Sequence, residues 1–150
     1  MDSEHALSFL RTHQPMPSDR AITDEEAATF VVILELFQTE PDERCLPLLI
    51  HSVSSDTGLG VYEHIKFVLA AHPREQVVHY LRKGLEDGNY GVLHRCCWWA
   101  TDVDAWELAD LIQPLVAHPD EDVRDAAQAF MELKNEHSSA RCELSRKCLC

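Results

Sequence analysis

The stretch LIQPLVAHPDEDVRDAAQAFM, residues 111–131, holds the end of one predicted helix, a turn and most of a second helix. Apolar residues of the second helix recur at positions i, i+3, i+4, i+7 and i+8, which form one face at 3.6 residues per turn. They are Val123, Ala126, Ala127, Phe130 and Met131. Pro119 suits the first turn of a helix, and the acidic residues 120–122 complement the positive end of its dipole. The stretch therefore predicts two antiparallel helices joined by a tight turn.

The same pattern recurs at a fixed spacing earlier in the chain. Val61, Val92 and Val123 lie 31 residues apart (92 − 61 and 123 − 92). Seven residues after each valine comes a large apolar residue, and four residues after it comes another residue of core character. These are Val68, Trp99 and Phe130, and Ile65, Cys96 and Ala127. A helical pattern repeated in this way predicts stacked helix pairs.

Proline and glycine separate the remaining segments into helices. The expected helices are residues 3–12, 24–38, 41–53, 59–71, 74–85, 89–101, 104–117 and 120–135, with a capping box at Thr23 and Glu26. No alternating strand pattern stands out. The predicted fold is therefore all-α, with about four helix pairs in residues 1–137. Residues 138–150, which include Cys142, Cys148 and Cys150, are expected to form a flexible tail.

The last helix pair resembles a HEAT repeat. The resemblance depends on the proline inside the first helix (Gln113-Pro114-Leu115) and on the sequence from the turn into the second helix, which contains Asp120, Asp122, Val123, Arg124, Ala126 and Ala127. It implies a short right-handed α-solenoid in which the aspartate and arginine tie adjacent repeats together. It also implies an extended surface formed by one row of helices.

The charge of the chain limits its partners. The chain has 13 basic and 26 acidic residues, a net charge of −13 and a pI near 4.9. This charge disfavours nucleic acid, which requires a basic surface, and favours a basic protein partner. Acidic composition is also typical of proteins that are simply soluble.

The location of the protein is predicted from the same composition. The start of the chain is acidic, and the longest apolar run, residues 30–34, is too short to cross a bilayer. Cys45, Cys96 and Cys97 fall inside predicted helices, so no disulfide framework is expected. We expect a cytoplasmic protein that does not bind membranes, and the sequence predicts no oligomeric state.

The sequence offers no recognisable catalytic pattern. It lacks a glycine-rich phosphate loop, Gly-x-Ser-x-Gly and His-Glu-x-x-His. Five of its nine histidines lie on or at the ends of predicted helices and have no paired nucleophile in the sequence: His51, His64, His72, His94 and His118. Cys142, Cys148 and Cys150 do not have the spacing of a structural zinc site. We therefore expect no enzyme activity, no metal and no cofactor.

Trp98 and Trp99 are the most informative adjacent pair. Trp99 occupies the large apolar position of the repeat and is predicted to be buried. Trp98 lies about 100° further round the helix, so it points either to the surface or under the adjoining loop. An exposed tryptophan beside acidic residues is typical of a binding hot spot.

The predicted binding face is the row of second helices, at residues 59–71, 89–101 and 120–135. Candidate partner-binding residues are Tyr62, Glu63, His94, Trp98, Asp102, Asp104, Glu107 and Glu121. The expected function is a non-catalytic protein-binding module. A sharper version, from resemblance to HEAT-like bacterial immunity proteins, is neutralisation of a basic toxin. The alternative is a HEAT-like enzyme-associated or lyase-like maturation factor that binds a small prosthetic group. A HEAT-like DNA glycosylase is disfavoured, because such enzymes are basic along their groove.

Overall fold

The computed structural model describes residues 1–147, except for the side chains of Asp87 and of residues 141–147. Within this range the chain forms eight α helices and no strand, which confirms the all-α prediction. The helices are α1 (Ser3–Thr12), α2 (Asp24–Thr39), α3 (Cys45–Ser52), α4 (Ile65–Ala70), α5 (Arg74–Asp87), α6 (Tyr90–Asp102), α7 (Ala109–Ile112) and α8 (Glu121–Lys147).

Local side-chain caps fix where several helices begin. The hydroxyl of Thr23 accepts from the Glu26 amide at 3.2 Å, and the Glu26 carboxylate accepts from the Thr23 amide at 2.8 Å. This is the predicted capping box of α2. The side chain of Asn89 accepts from the amides of Gly91 and Val92 at the start of α6.

The helices contact one another in two series. In the odd set, α1 packs on α3, α3 on α5 and α5 on α7. In the even set, α2 packs on α4 and α6 packs on α8, whereas α4 and α6 do not pack closely. Contacts between α1 and α2, α5 and α6, and α7 and α8 join the two sets. One hydrophobic core runs between them.

The repeated positions predict the core correctly. Of the nine residues in the three-fold register, eight are buried and Val61 is partly buried. Trp99 is 3% exposed and Trp98 is 40% exposed, so Trp99 is in the core and Trp98 is at the surface. Cys45, Cys96 and Cys97 are buried free thiols, as expected for cysteines inside helices.

The predicted helix 59–71 is wrong in its first half. Gly58, Leu59 and Gly60 have φ values of +59°, +53° and +84°, in the left-handed region that a right-handed helix cannot contain. A 3₁₀ segment, Gly58–His64, forms here, and α4 begins only at Ile65.

The predicted helix 104–117 is also interrupted. Asp104 has φ +53°, and the chain then forms a 3₁₀ turn (Trp106–Leu108), α7 and a second 3₁₀ segment (Gln113–Ala117). Pro114 has no amide hydrogen to donate, which favours an interruption of the α-helix at this point.

Helix α8 is longer than expected. It runs through the predicted boundary at residue 137 as far as Lys147. Cys148 and Cys150 of the predicted tail lie outside the described residues, and the flexibility of the tail stays a prediction. Between Met1 and Lys147, no helix has both the length and the hydropathy that crossing a bilayer requires.

Arg124 does not form the contact that the HEAT resemblance implies. Its guanidinium donates to the carbonyls of His118 and Pro119 at 2.9 and 3.2 Å, in the turn before its own helix. Asp120 accepts from the Val123 amide as a helix cap. In the described hydrogen bonds, Asp120 and Arg124 therefore stabilise the turn that precedes α8, and they do not connect one helix pair to the next.

Candidate binding surface

Exposed large apolar side chains are concentrated on one of the two helix sets. Apart from Met1, all those found among the described residues lie on an even helix or on the 3₁₀ segment before α4. They are Val31, Val32, Leu59, Phe67, Tyr90, Trp98 and Leu133. We call the exposed surface of α2, residues 58–64, α4, α6 and the first turns of α8 the even face. Apolar side chains exposed together in this way are typical of interaction surfaces.

Several acidic residues next to the odd helices are held by basic side chains. Arg74 donates from both terminal nitrogens to the two carboxylate oxygens of Glu107, each at 2.7 Å. Arg44 reaches Glu4 at 2.7 Å and Arg82 reaches Asp110 at 3.5 Å. These pairs link neighbouring odd helices and neutralise much of the charge on that side.

Acidic residues of the even face are less often paired. Helix α2 contains Asp24, Glu25, Glu26 and Glu35 and has no lysine or arginine. At the start of α8, Glu121 and Asp122 form no ion pair with any described side chain. The even face therefore has more unpaired acidic residues than the odd helices, among which Glu75 is also unpaired within the described side chains.

An open cleft separates α4 from α6. It consists of two adjoining cavities of about 280 Å³ each, and Lys66 and Asp102 line both of them. One wall consists of Glu63 from the 3₁₀ segment and Lys66, Phe67 and Ala70 from α4, and the α6 wall includes Arg95, Trp98, Trp99 and Asp102. We call this the α4–α6 cleft. A further cavity of about 310 Å³ lies between α2 and residues 59–64.

A hydrogen bond fixes the orientation of the exposed Trp98 ring. The indole nitrogen of Trp98 donates to Nε2 of His94 at 3.0 Å, one helical turn earlier. Burial, followed by the charge of Arg95, lowers the pKa of His94, so the imidazole is neutral at pH 7 and can accept this bond. Asp122 and Asp120 act in the opposite direction, which shows that the start of α8 is close to His94.

Asp102 is the carboxylate in the α4–α6 cleft that has no cationic partner. It forms no hydrogen bond or ion pair with a described side chain, whereas Glu63 is held by Arg95 at 2.8 Å. Loss of solvent raises the pKa of Asp102, against a smaller lowering effect of Lys66. The ammonium of Lys66 lies 5.4 Å from the centre of the Phe67 ring. The charged form of Asp102 is thus disfavoured by its surroundings.

The structure brings four of the eight predicted site residues together. Glu63, Trp98 and Asp102 line the cleft, and His94 holds Trp98. Glu121 is exposed at the start of α8.

Three predicted site residues lie elsewhere. Tyr62 is 1% exposed and packs edge-on against Phe30, so it does not belong to the surface on which the sequence places it. Ile65 and Leu69, three and seven residues later, are buried as well, so Tyr62 belongs to the buried side of this segment. Glu107 is bound by Arg74 of α5, and the carbonyl of Asp104 accepts from the same arginine, so both residues lie with the odd helices.

The sequence prediction missed Phe67, which is 45% exposed on the rim of the cleft. Its signal was available, since Phe67 precedes Trp98 by one repeat of 31 residues (98 − 67). Each of the two aromatic residues stands directly before a buried register residue, Val68 or Trp99. The equivalent position in the last unit is the smaller Ala129.

The buried thiols are not activated for nucleophilic chemistry. Burial raises the pKa of Cys45 and of Cys97 to about 12, so both are protonated at neutral pH. Cys45 is 3.9 Å from Nε2 of His72, whose other ring nitrogen lies 2.8 Å from the Val68 carbonyl. No group of three or more potential metal ligands was found in the part of the chain that the structure describes.

Comparison of the chain with protein-family models, curated proteins and solved structures gives no match.

Proposed function

We propose that this protein is a non-catalytic protein-binding module and that its even face binds a basic partner. The observation that carries the proposal is that exposed apolar side chains and unpaired acidic residues coincide on the even helices. Interfaces commonly combine an apolar, aromatic centre with a polar rim. The even face offers Phe67 and Trp98 for the centre, and Glu35, Glu121 and Asp122 for the rim.

The proposal includes a right-handed α-solenoid of four helix pairs. Its support is the order of contacts, in which each odd helix packs on the next odd helix, α2 packs on α4 and α6 packs on α8. Solenoids of this kind present one row of helices as an extended surface.

The negative charge of the even face would act mainly on the choice of partner and on the rate of association. A surface with unpaired acidic groups attracts a basic protein over a distance limited by the Debye length, roughly 8–10 Å at physiological salt. The apolar residues then supply affinity once water is removed from the contact. The sharper version, neutralisation of a basic toxin by an immunity protein, is proposed from charge and fold analogy.

Capture from a lysate of the source cell, at low and at raised salt, tests the proposal. A matched pair of variants shows which surface binds the partner. Glu121 lies in the first turn of the even helix α8 and Glu75 in the first turn of the odd helix α5, and both glutamates are exposed. We expect Glu121→Lys to weaken capture of a stoichiometric basic protein, and Glu75→Lys to leave it unchanged. Capture of no protein at either salt, or equal loss with both variants, would contradict the proposal.

A further inference from the structure

We propose that the α4–α6 cleft receives an arginine side chain of the partner, with the guanidinium against the Trp98 ring and its N–H groups donating to the Asp102 carboxylate. This inference rests on the proposed function, because it specifies the group on the basic partner that the even face holds.

The cleft has room for a side chain. Each of its two cavities, at about 280 Å³, is several times larger than the ~30 Å³ that one water molecule occupies in the liquid. The cavities share Lys66 and Asp102, so they adjoin each other between α4 and α6. A flexible side chain can enter this opening without moving either helix.

The charges in the cleft leave one anion available. Arg95 occupies Glu63 at 2.8 Å, and the Lys66 ammonium is placed over Phe67 rather than paired with Asp102. Asp102 therefore has no ion-pair partner among the described side chains. Asp102 is exposed where it lines the cleft, so an incoming cation can reach its carboxylate, and a forked guanidinium can donate to both of its oxygens.

The exposed tryptophan selects the kind of cation. The bond from Trp98 to His94 fixes the indole plane, which leaves a ring that is 40% exposed beside the cleft. A cation over an indole face is stabilised by the ring quadrupole. Arginine is favoured over lysine, because the planar, weakly hydrated guanidinium can stack on the ring while it donates to a carboxylate.

The inference can be tested on the chain alone, by following the indole N–H signals in NMR spectra. The probes are N-acetyl-arginine methylamide, its lysine counterpart and the neutral isostere N-acetyl-citrulline methylamide. The Trp98 signal is assigned by its loss in Trp98→Phe. We expect the arginine probe to shift this signal saturably, with weaker binding of the lysine probe and no saturable shift with citrulline. Asp102→Asn should lower the affinity for the arginine probe about tenfold, which corresponds to about 1.4 kcal/mol of binding free energy.

Asp125→Asn is the matched control, because it removes one exposed acidic charge from α8 at a position that does not line the cleft. It should bind the arginine probe like the unaltered chain. Equal binding of arginine and citrulline, tighter binding of lysine, or equal losses in the two variants would overturn the inference. If a basic partner is captured equally by the unaltered chain and by Asp102→Asn, the cleft inference fails while the proposed function stands. If no partner is captured, the proposed function fails.

Discussion

Asp102 shows how a single residue connects stability with binding. Its carboxylate has lost part of its solvent contact without gaining a cationic partner among the described side chains, and this partial burial raises its pKa. Groups whose pKa is perturbed in this way cluster at functional sites.

We expect Asp102→Asn to increase the free energy of unfolding at pH 7. Because the pKa is higher in the folded state than in the unfolded state, the folded protein holds this proton more tightly. The resulting stability is fully present below the unfolded value, near 3.8, and is lost as pH rises through the folded value. The neutral amide removes this dependence. Urea unfolding at pH 4 and pH 7 measures it, and a variant less stable than the unaltered chain at pH 7 would contradict the expectation.

Gly58 and Gly60 form a matched pair for testing the left-handed turn before α4. Both have positive φ, but an added Cβ would meet the Tyr62 ring at 2.6 Å at Gly58 and would meet nothing within 4 Å at Gly60. Gly60→Ala should therefore lower the free energy of unfolding by about 1–2 kcal/mol, the cost of placing alanine in a left-handed conformation. Gly58→Ala should lower the free energy of unfolding by about 1–3 kcal/mol more than Gly60→Ala, because Tyr62 must also move. Urea unfolding of both variants measures the difference, and equal losses would show that the Tyr62 contact is unimportant.

At the scale of helices, α5 lies so close to α3 and α6 that position 84 has no room for a side chain. A Cβ on Gly84 would lie 2.7 Å from the Cys96 sulfur of α6 and 2.8 Å from a methyl carbon of Ile50 on α3. The glycine therefore lets α5 pack tightly between two neighbours, although glycine is a poor helix former.

Gly84→Ala should destabilise the protein despite a gain in helix propensity of about 1 kcal/mol. Overpacking against Cys96 and Ile50 is expected to outweigh the gain, for a net loss of roughly 1–2 kcal/mol. Thermal and urea unfolding measure the change. Lys83→Ala, at the exposed preceding position, is the control and should change stability by less than about 0.5 kcal/mol. A more stable Gly84→Ala variant would show that α5 has room to adjust.

The helical core was predictable from sequence because burial follows a local period. Ile65, Cys96 and Ala127 are buried where the 31-residue register places them, and the exposure of Trp98 follows from the burial of Trp99. The interruption at Asp104 was not predictable in this way, since Asp104 is not a glycine and yet adopts positive φ. At Leu59 the flanking Gly58 and Gly60 were a signal that the predicted helix 59–71 did not take into account. Both places also have contacts with distant segments: the Leu59 amide donates to the Asp19 carboxylate, and Arg74 donates to the Asp104 carbonyl.

At the scale of the whole molecule, the candidate surface depends on where the helices leave gaps. The α4–α6 cleft exists because α4 packs on α2 and α6 packs on α8, with little packing between α4 and α6. Periodicity within one helix contains no information on that spacing. The sequence therefore placed Glu63, Trp98 and Asp102 on one row of helices, but it did not predict the cleft between them.

The most direct test of the proposed even face is carboxylate footprinting of the chain, alone and bound to a captured basic partner. Carbodiimide labelling reports the exposure of each acidic side chain. We expect the partner to protect Glu35, Asp102 and Glu121 on the even helices, while Glu75 and Asp110 on the odd helices stay labelled. Protection of Glu75 and Asp110, with Asp102 and Glu121 still fully labelled, would place the partner on the opposite side and contradict the proposed function.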